Sequence, residues 1–453
     1  MRLNRRLAPD LYLGVGAIVP AAHGLRIAGE GEPGAVDYAV EMRRYRDDAT
    51  LAHRLRSGAA GAAEVQAVGR RLAAFHRDAA VPVSPERSVP ALEAMLAENF
   101  ATLRSLAADR DDVTRIDDGQ RVAAAMLAGR REELTERARS GRVRDGHGDL
   151  RAEHVVLERG IEIVDCVEFD PALREIDVSL DLAFLAMDLM RHSAQLARTL
   201  VAAYREAGGD PGDDALVTFF AAQRALIRAK VALVRATQVG GDDASRRRAD
   251  ARALIDLAGQ LGWRLRLGPL TIVCGVAASG KSTLAAALAQ RSGAVVVASD
   301  LVRKALAGVA PNAPAPAGSY AADVNRATYA ELGRRAAEAL AAGGPVIVDA
   351  TFRFAADRRT FAAEAPAPAV WIECRAPASV RATRARARRA DQEHVSDADA
   401  AVAVRQGEEW EPLGVDALVV DTDQPRDAVL ADVRDALDDR LRDAQGKLLS
   451  PNR

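Results

Sequence analysis

Lysine is nearly missing from this sequence. Of 62 basic residues only Lys230, Lys281, Lys304 and Lys447 are lysines. Arginine is therefore the default cation, and each remaining lysine draws notice. Cysteine is equally scarce: Cys166, Cys274 and Cys374 are widely spaced and each lies inside an apolar run. That spacing excludes a disulfide framework and a clustered zinc site, and reads the three as core filling. Aromatic residues make up 4% and do not interleave with any basic run, which speaks against a stacking groove for nucleic acid. There is no excess of one charge, the net being −2. No apolar run approaches the roughly 18–20 residues that span a bilayer. The charged start, Met1–Asp10, lacks the apolar segment of a secretory signal, and the expected compartment is the cytoplasm. What remains is a globular composition, 49% hydrophobic and 28% charged over 453 residues, enough for two or three domains.

Periodicity divides the chain. Residues 11–19 and 35–45, rich in Val, Tyr and Ile, read as strands around a glycine-rich turn. Residues 49–76 and 90–140 carry apolar positions at helical spacing. A strand–loop–strand region follows at 143–170, then helices over 177–238. A flexible break, a helix and an entry turn lead to a boundary near 264. Beyond it strands are expected near 270–275, 294–298, 345–350, 369–374 and 416–421, with helices between. Such alternation predicts a five-stranded parallel sheet covered on both faces. The expected organisation is a first domain over 1–264, an α/β domain over 265–445 and a tail at 446–453. The patch "GVAPNAPAPAGS" at 308–319 reads as an irregular loop.

The chemistry-bearing pattern is "GVAASGKST": Gly275, Val276, Ala277, Ala278, Ser279, Gly280, Lys281, Ser282 and Thr283. It fits G-x-x-x-x-G-K-[ST], follows an apolar strand and opens a helix. The glycines let backbone N–H groups turn inward around phosphates, Lys281 reaches the terminal phosphates, and the Ser282 hydroxyl can hold Mg2+. ATP and Mg2+ are the implied cofactors. In "VIVDATF", Asp349 ends a strand, where a carboxylate would hold Mg2+ through water. In "SDLVRK", Asp300 and Arg303 share one helix face; the acid would accept a hydroxyl proton and the arginine would grip an anionic substrate. At 375–402, Arg381, Arg384, Arg386, Arg388 and Arg389 crowd a helix. Arg384 and Arg388 are the candidates to close over transferring phosphate, against the plainer reading of a solvated basic face.

Together "GVAASGKST", "SDLVRK", "VIVDATF" and "ECRAP…VSDAD…EPL" resemble the P-loop kinase branch that includes gluconate-kinase-like and zeta-toxin-like proteins, over about 268–440. The resemblance implies phosphoryl transfer from ATP to a small hydroxyl-bearing acceptor, with Asp300 and Arg303 facing it. Two rival readings are a nucleotide-driven regulatory switch and a nucleic-acid end kinase. No membrane partner is expected, and the sequence leaves the oligomeric state open.

A second motif lies upstream. "HGDLRAEHV" resembles the catalytic loop of aminoglycoside phosphotransferases, which implies that Asp149 is a base toward a hydroxyl. Where that family has an asparagine for Mg2+, this chain has His154, a poor ligand for an oxygen-seeking ion. Two residues compete for the next metal-binding acid, Asp165 in "IVDC" and Glu168 in "VEFD", and the neighbours of Glu168 imitate the family better. Asp177 and Asp181 are expected in structural roles, and His76 in helix packing. The resemblance implies a mostly helical kinase-like domain lacking most of its small lobe: no lysine precedes Lys230 and no glycine-rich loop is visible, so Asp149 is expected to be inactive unless the start is assigned late. The order of the two halves resembles a bacterial family of bifunctional phosphotransferase/ATP-binding proteins.

Overall fold

The computed structural model describes residues 1–314, 316, 318–389 and 409–443. The chain divides into two compact units, one of Met1–Asp109 with Arg131–Ile255, the other of Arg110–Arg130 with Asp256–Arg453.

The first unit opens with an antiparallel sheet, β1 (Tyr12–Ala21), β2 (Gly24–Ala28) and β3 (Asp37–Met42), with β1 in the middle. The sequence reading missed β2; its residues are exposed or nearly so, so no alternation of apolar and polar positions marks it. The helical stretch at 49–76 is broken into α1 (Leu51–Arg56) and α2 (Ala62–Asp78), because Gly58 adopts φ 70°, which ends a helix. The 90–140 stretch similarly becomes α3 (Ser88–Leu106) and α4 (Arg110–Arg139). Short strands β4 (Val143–Asp145), β5 (Val155–Val156), β6 (Glu162–Ile163) and β7 (Glu175–Asp177) pair as β4–β7 and β5–β6. Helices α5 (Val178–Met190), α6 (Ala194–Glu206) and α7 (Asp214–Gln238) complete the unit. Almost every residue of α5 is buried, as expected for a helix packed against both α6 and α7.

α8 (Gly241–Leu267) runs through the expected boundary at 264. Residues 110–130 of α4 group with the second unit, and the physical reason is an ion network. The fully buried Arg266 guanidinium donates to both oxygens of Asp118, each at 2.9 Å, and to Asp438 at 2.7 Å.

The second unit alternates as its sequence predicts: β8 (Leu270–Cys274), α9 (Lys281–Ser292), β9 (Val295–Ala298), α10 (Ser299–Leu306), α11 (Ala322–Ala341), β10 (Val346–Asp349), α12 (Ala355–Glu364), β11 (Val370–Arg375), α13 (Ala378–Arg389), β12 (Ala417–Asp421) and α14 (Arg426–Asp443). The strand order is β12-β11-β8-β10-β9, all parallel. Central β8 and β10 are buried along their whole lengths, as a sheet covered on both faces demands. Alternate residues feed two cores. Val273, Ile347 and Ile372 join Leu288 and Val433 on one side; Ile272, Val346 and Val348 join Leu332 and Phe361 on the other. Cys166, Cys274 and Cys374 are buried free thiols, and burial pushes Cys374 up to about 12. Among the described residues no helix is long and apolar enough to cross a membrane.

Candidate active site

The phosphate loop is built where β8 ends against its neighbours. Gly275 takes φ 143°, and a Cβ there would stand 2.5 Å from the Cys374 carbonyl oxygen. Gly280 takes φ 91° with Thr422 directly behind it. Between them Ala278 adopts φ 62°. Left-handed positions in one short turn aim successive backbone N–H groups into a single hollow, the arrangement that receives an anion at a helix N-terminus. Val276 closes the turn by accepting from the Ser279 amide, and Ala277 lines the cleft in front. Ser279 is fully buried, and its hydroxyl oxygen has no hydrogen-bond partner among the described residues. The Ser279 carbonyl is held by the Thr422 hydroxyl at 2.6 Å. Lys281 opens α9 and is only 9% exposed. Ser282 and Thr283 are exposed in the first helical turn. Asp349 ends β10 in register with Val273 of β8 and is buried, beside the loop that β8 feeds.

Lys281, Asp300 and Arg303 line one cleft of about 420 Å³. Arg303 is nearly buried and fixed. Its guanidinium donates to the Ser319 carbonyl at 2.7 Å and to Asn325 Oδ1 at 3.0 Å, and lies 4.6 Å over the Tyr320 ring. Asn325 in turn donates to Asp357 at 2.8 Å. Burial raises the Asp357 carboxyl above its ordinary value, against the pull of Arg353. The sequence reading missed Tyr320, Asn325, Arg353 and Asp357, all of which line this cleft. None lies in a recognisable motif, and only Arg353 follows one, directly after "VIVDATF".

Arg384 is placed elsewhere. It donates to the Thr422 hydroxyl at 3.2 Å and to the Thr422 carbonyl at 2.6 Å. It lines a second hollow, about 360 Å³, with Gly280, Thr283, Leu284, Val429 and Leu430. Arg384 and Asp300 thus flank the phosphate loop from different hollows. The Arg388 side chain and residues 390–408, the far part of the expected arginine lid, lie outside the described residues.

In the first unit the loop at 146–149 is pinned from below by Asp181. This carboxylate accepts from the His147 amide at 2.7 Å, the Gly148 amide at 2.9 Å and His76 Nε2 at 3.1 Å. Burial alone would raise its pKa, but the His76 and His147 interactions win and hold it below the ordinary carboxylate range. His76 does more than pack α2: its Nδ1 also lies 2.9 Å from the Tyr204 hydroxyl. Asp177 caps α5 through the Ser179 amide and takes both Arg137 donors at 2.8 Å. Asp149 is partly exposed and paired with Arg151 at 3.0 Å. The preference for Glu168 over Asp165 is corrected by the geometry. Glu168 turns to the Met1 amine at 2.5 Å and to Asn4 at 3.0 Å, whereas Asp165 faces His154 and Asp149. Sequence neighbours favoured Glu168, but side chains three residues apart in the irregular segment after β6 point to different sides.

The sheet order, the phosphate loop and its lysine define the C-terminal unit as a nucleotide-binding domain of the P-loop α/β class. A family model described as an AAA domain matches residues 270–413. The uncharacterized protein Rv2004c of Mycobacterium tuberculosis (strain ATCC 25618 / H37Rv) is 33% identical over 424 residues, covering 90% of this chain and 81% of its own. The uncharacterized protein Mb2027c of Mycobacterium bovis (strain ATCC BAA-935 / AF2122/97) matches to the same extent. This chain belongs to their family. Among solved structures, a gluconokinase from Sinorhizobium meliloti 1021 matches 40% of this chain and 98% of its own at 23% identity, with a TM-score of 0.31. A sugar kinase from Janibacter sp. HTCC2649 matches 38% and 96% at 19% identity, with a TM-score of 0.28.

Proposed function

We propose that the C-terminal unit is an ATP- and Mg2+-dependent phosphotransferase acting on a small hydroxyl-bearing acceptor. The observation that carries this is the cleft that joins Lys281 to Asp300 and Arg303. A nucleotide switch needs the phosphate loop and its metal acid, but no acid–arginine pair facing open space beside them. The loop fits ATP: the close approaches at Gly275 and Gly280 and the orphaned Ser279 hydroxyl are features of a backbone shaped for an anion. Ser282 and Asp349 would hold Mg2+, which when bound neutralises charge on the phosphate oxygens. Lys281 draws the terminal phosphate toward the cleft. Asp300 accepts the acceptor's hydroxyl proton. Arg303, preorganised by Ser319, Asn325 and Tyr320, supplies fixed positive charge at no reorganisation cost. The hollow under Arg384, apolar along Leu284, Val429 and Leu430, suits the base of the nucleotide. In the first unit, the loop carrying Asp149 and pinned by Asp181 supports a kinase-like ancestry.

The reading is tested by incubating the protein with ATP, Mg2+ and a metabolite extract and following new phosphorylated species by mass spectrometry. A phosphorylated acceptor that is absent with Lys281→Ala is the expected result. ATP hydrolysis without any phosphorylated acceptor would favour the switch.

A further inference from the structure

We infer that the first unit carries an anion site, fitted to a diphosphate group, in a hollow lined by α7 and α8. The hollow has a volume of about 310 Å³. Arg228, Val231, Ala232 and Arg235 of α7 line it on one side. Asp243, Arg246, Arg247 and Asp250 of α8 line it on the other.

The lining follows from helix geometry. On each helix the four positions fall at i, i+3, i+4 and i+7, which is one stripe of the helix surface. Such a stripe is ordinarily apolar where a helix meets its neighbour. Here only Val231 and Ala232 are apolar, and the two stripes together present four guanidinium groups and two carboxylates. The carboxylates are already engaged. Asp250 pairs with Arg191, which does not line the hollow, and Asp243 pairs with Arg246. Among the described residues, Arg228, Arg235 and Arg247 have no carboxylate within ion-pair distance.

Arg228 and Arg247 are also half-buried. The Arg247 Nε is enclosed and has no hydrogen-bond partner among the described residues. An enclosed N–H of a charged group without an acceptor costs free energy, and like charges gathered out of bulk water repel more strongly than exposed ones. The repulsion reaches beyond the hollow: burial lowers the Arg151 pKa below its ordinary value, Asp149 opposes this, and Arg228 adds to the lowering. An anion in the hollow offsets all three costs and gains charge-assisted hydrogen bonds.

The ligand class follows from charge, room and lining. The surplus of guanidinium over carboxylate calls for an ion of two or more negative charges. The planar fork of arginine matches the oxygens of a phosphate group. A water molecule occupies about 30 Å³ of the liquid, so the hollow admits more than one phosphate group. No aromatic ring lines it, so it offers no stacking platform for a base, and the free diphosphate ion suits it better than a nucleotide.

The test uses the whole chain in its Lys281→Ala form and without Mg2+, so that the phosphate loop of the second unit competes weakly. Pyrophosphate is titrated by calorimetry, and one ion per chain is expected at this site. Arg228→Gln and Arg247→Gln should each weaken binding about tenfold or more, the effect of losing a hydrogen-bonded charge. Asp243→Asn removes a competing acid and frees Arg246, and should tighten binding, a gain that a damaged fold would not give; circular dichroism checks the fold of every variant. ADP distinguishes the sources of the group: binding equal to that of pyrophosphate assigns the diphosphate of a nucleotide, and weaker binding assigns the free ion. No binding at millimolar pyrophosphate, or an affinity unchanged in both arginine variants, would overturn the inference, and the hollow would then be a solvated basic surface of an arginine-rich chain. Acceptor phosphorylation by the second unit is measured separately, so its failure does not bear on this site.

Discussion

At the scale of single residues, the proposed reading of the C-terminal site separates chemistry from nucleotide binding. Lys281 is the only side-chain cation of the phosphate loop. Lys281→Ala should keep the fold and lower nucleotide turnover on the order of a hundredfold or more, the effect of losing one preorganised charge; steady-state ATPase or transfer rates check it. Asp300→Asn should abolish transfer and leave ATP affinity nearly unchanged if, as proposed, this cleft residue is the base toward the acceptor. Calorimetric ATP titration beside the transfer assay decides this, and equal loss of ATP binding would make Asp300 a metal ligand or a structural cap. In the first unit Asp181 carries the loop of residues 146–149. Its lowered folded pKa means that the unfolded chain takes up a proton first. Its contribution is therefore fully present above its ordinary value of 3.8, and is lost as pH falls through and below that value. Asp181→Asn puts one carbonyl oxygen where a carboxylate accepts from three buried donors, and should cost about 1–3 kcal/mol at neutral pH. Urea midpoints measured from neutral pH down to about pH 2 should show a shallower acid decline in the variant than in wild type.

At the scale of elements, close helix contacts explain where the chain tolerates no side chain. Gly69 of α2 faces α6 so closely that a Cβ would stand 2.7 Å from the Leu200 carbonyl and 3.0 Å from the Ala203 Cβ. Alanine is the better helix former by up to about 1 kcal/mol, yet here the methyl meets backbone, which cannot move aside as a side-chain end does. Gly69→Ala should destabilise by about 1–3 kcal/mol, the usual cost of overpacking. A lowered thermal midpoint is expected, and a raised one would show that α2 and α6 separate freely. In the parallel sheet, elements were easy to read because each carries a short run of apolar residues. The β1–β2–β3 sheet was harder: most of β2 and β3 is exposed, so burial imposes no alternation on their sequence.

At the scale of the whole molecule, the unit division changes what a truncation does. A cut at 264 severs residues 110–130 from the rest of their unit. It leaves Asp118 without Arg266, and leaves the buried Ile116 and Val122 without most of their unit. The fragment 1–264 should therefore expose more apolar surface and aggregate more readily than the full chain; dye binding to exposed apolar surface and light scattering would show it. A soluble fragment with a sharp, reversible melt would contradict the division into these two units. For the same reason the activity of the first unit is best examined in the Lys281→Ala protein with both units present. No transfer to an aminoglycoside panel is expected there, since positioning and charge dominate phosphoryl transfer and Asp149 is already paired with Arg151 at 3.0 Å.

The sequence by itself determined the five parallel strands and the phosphate loop. Both are encoded locally: strand period and apolar length act within five or six residues, and the loop's backbone demands within nine. It also located the loop around Asp149 by its own short pattern. Only the tertiary structure decided that Asp165 and not Glu168 faces His154, that Arg384 turns to Thr422 while Arg303 turns to Asn325, and that part of α4 groups with the second unit. Each of these depends on partners far away in the chain, such as Asp118 and Arg266, 148 positions apart. Which distant carboxylate a guanidinium meets is set by how helices and strands pack, and no short-range pattern records it.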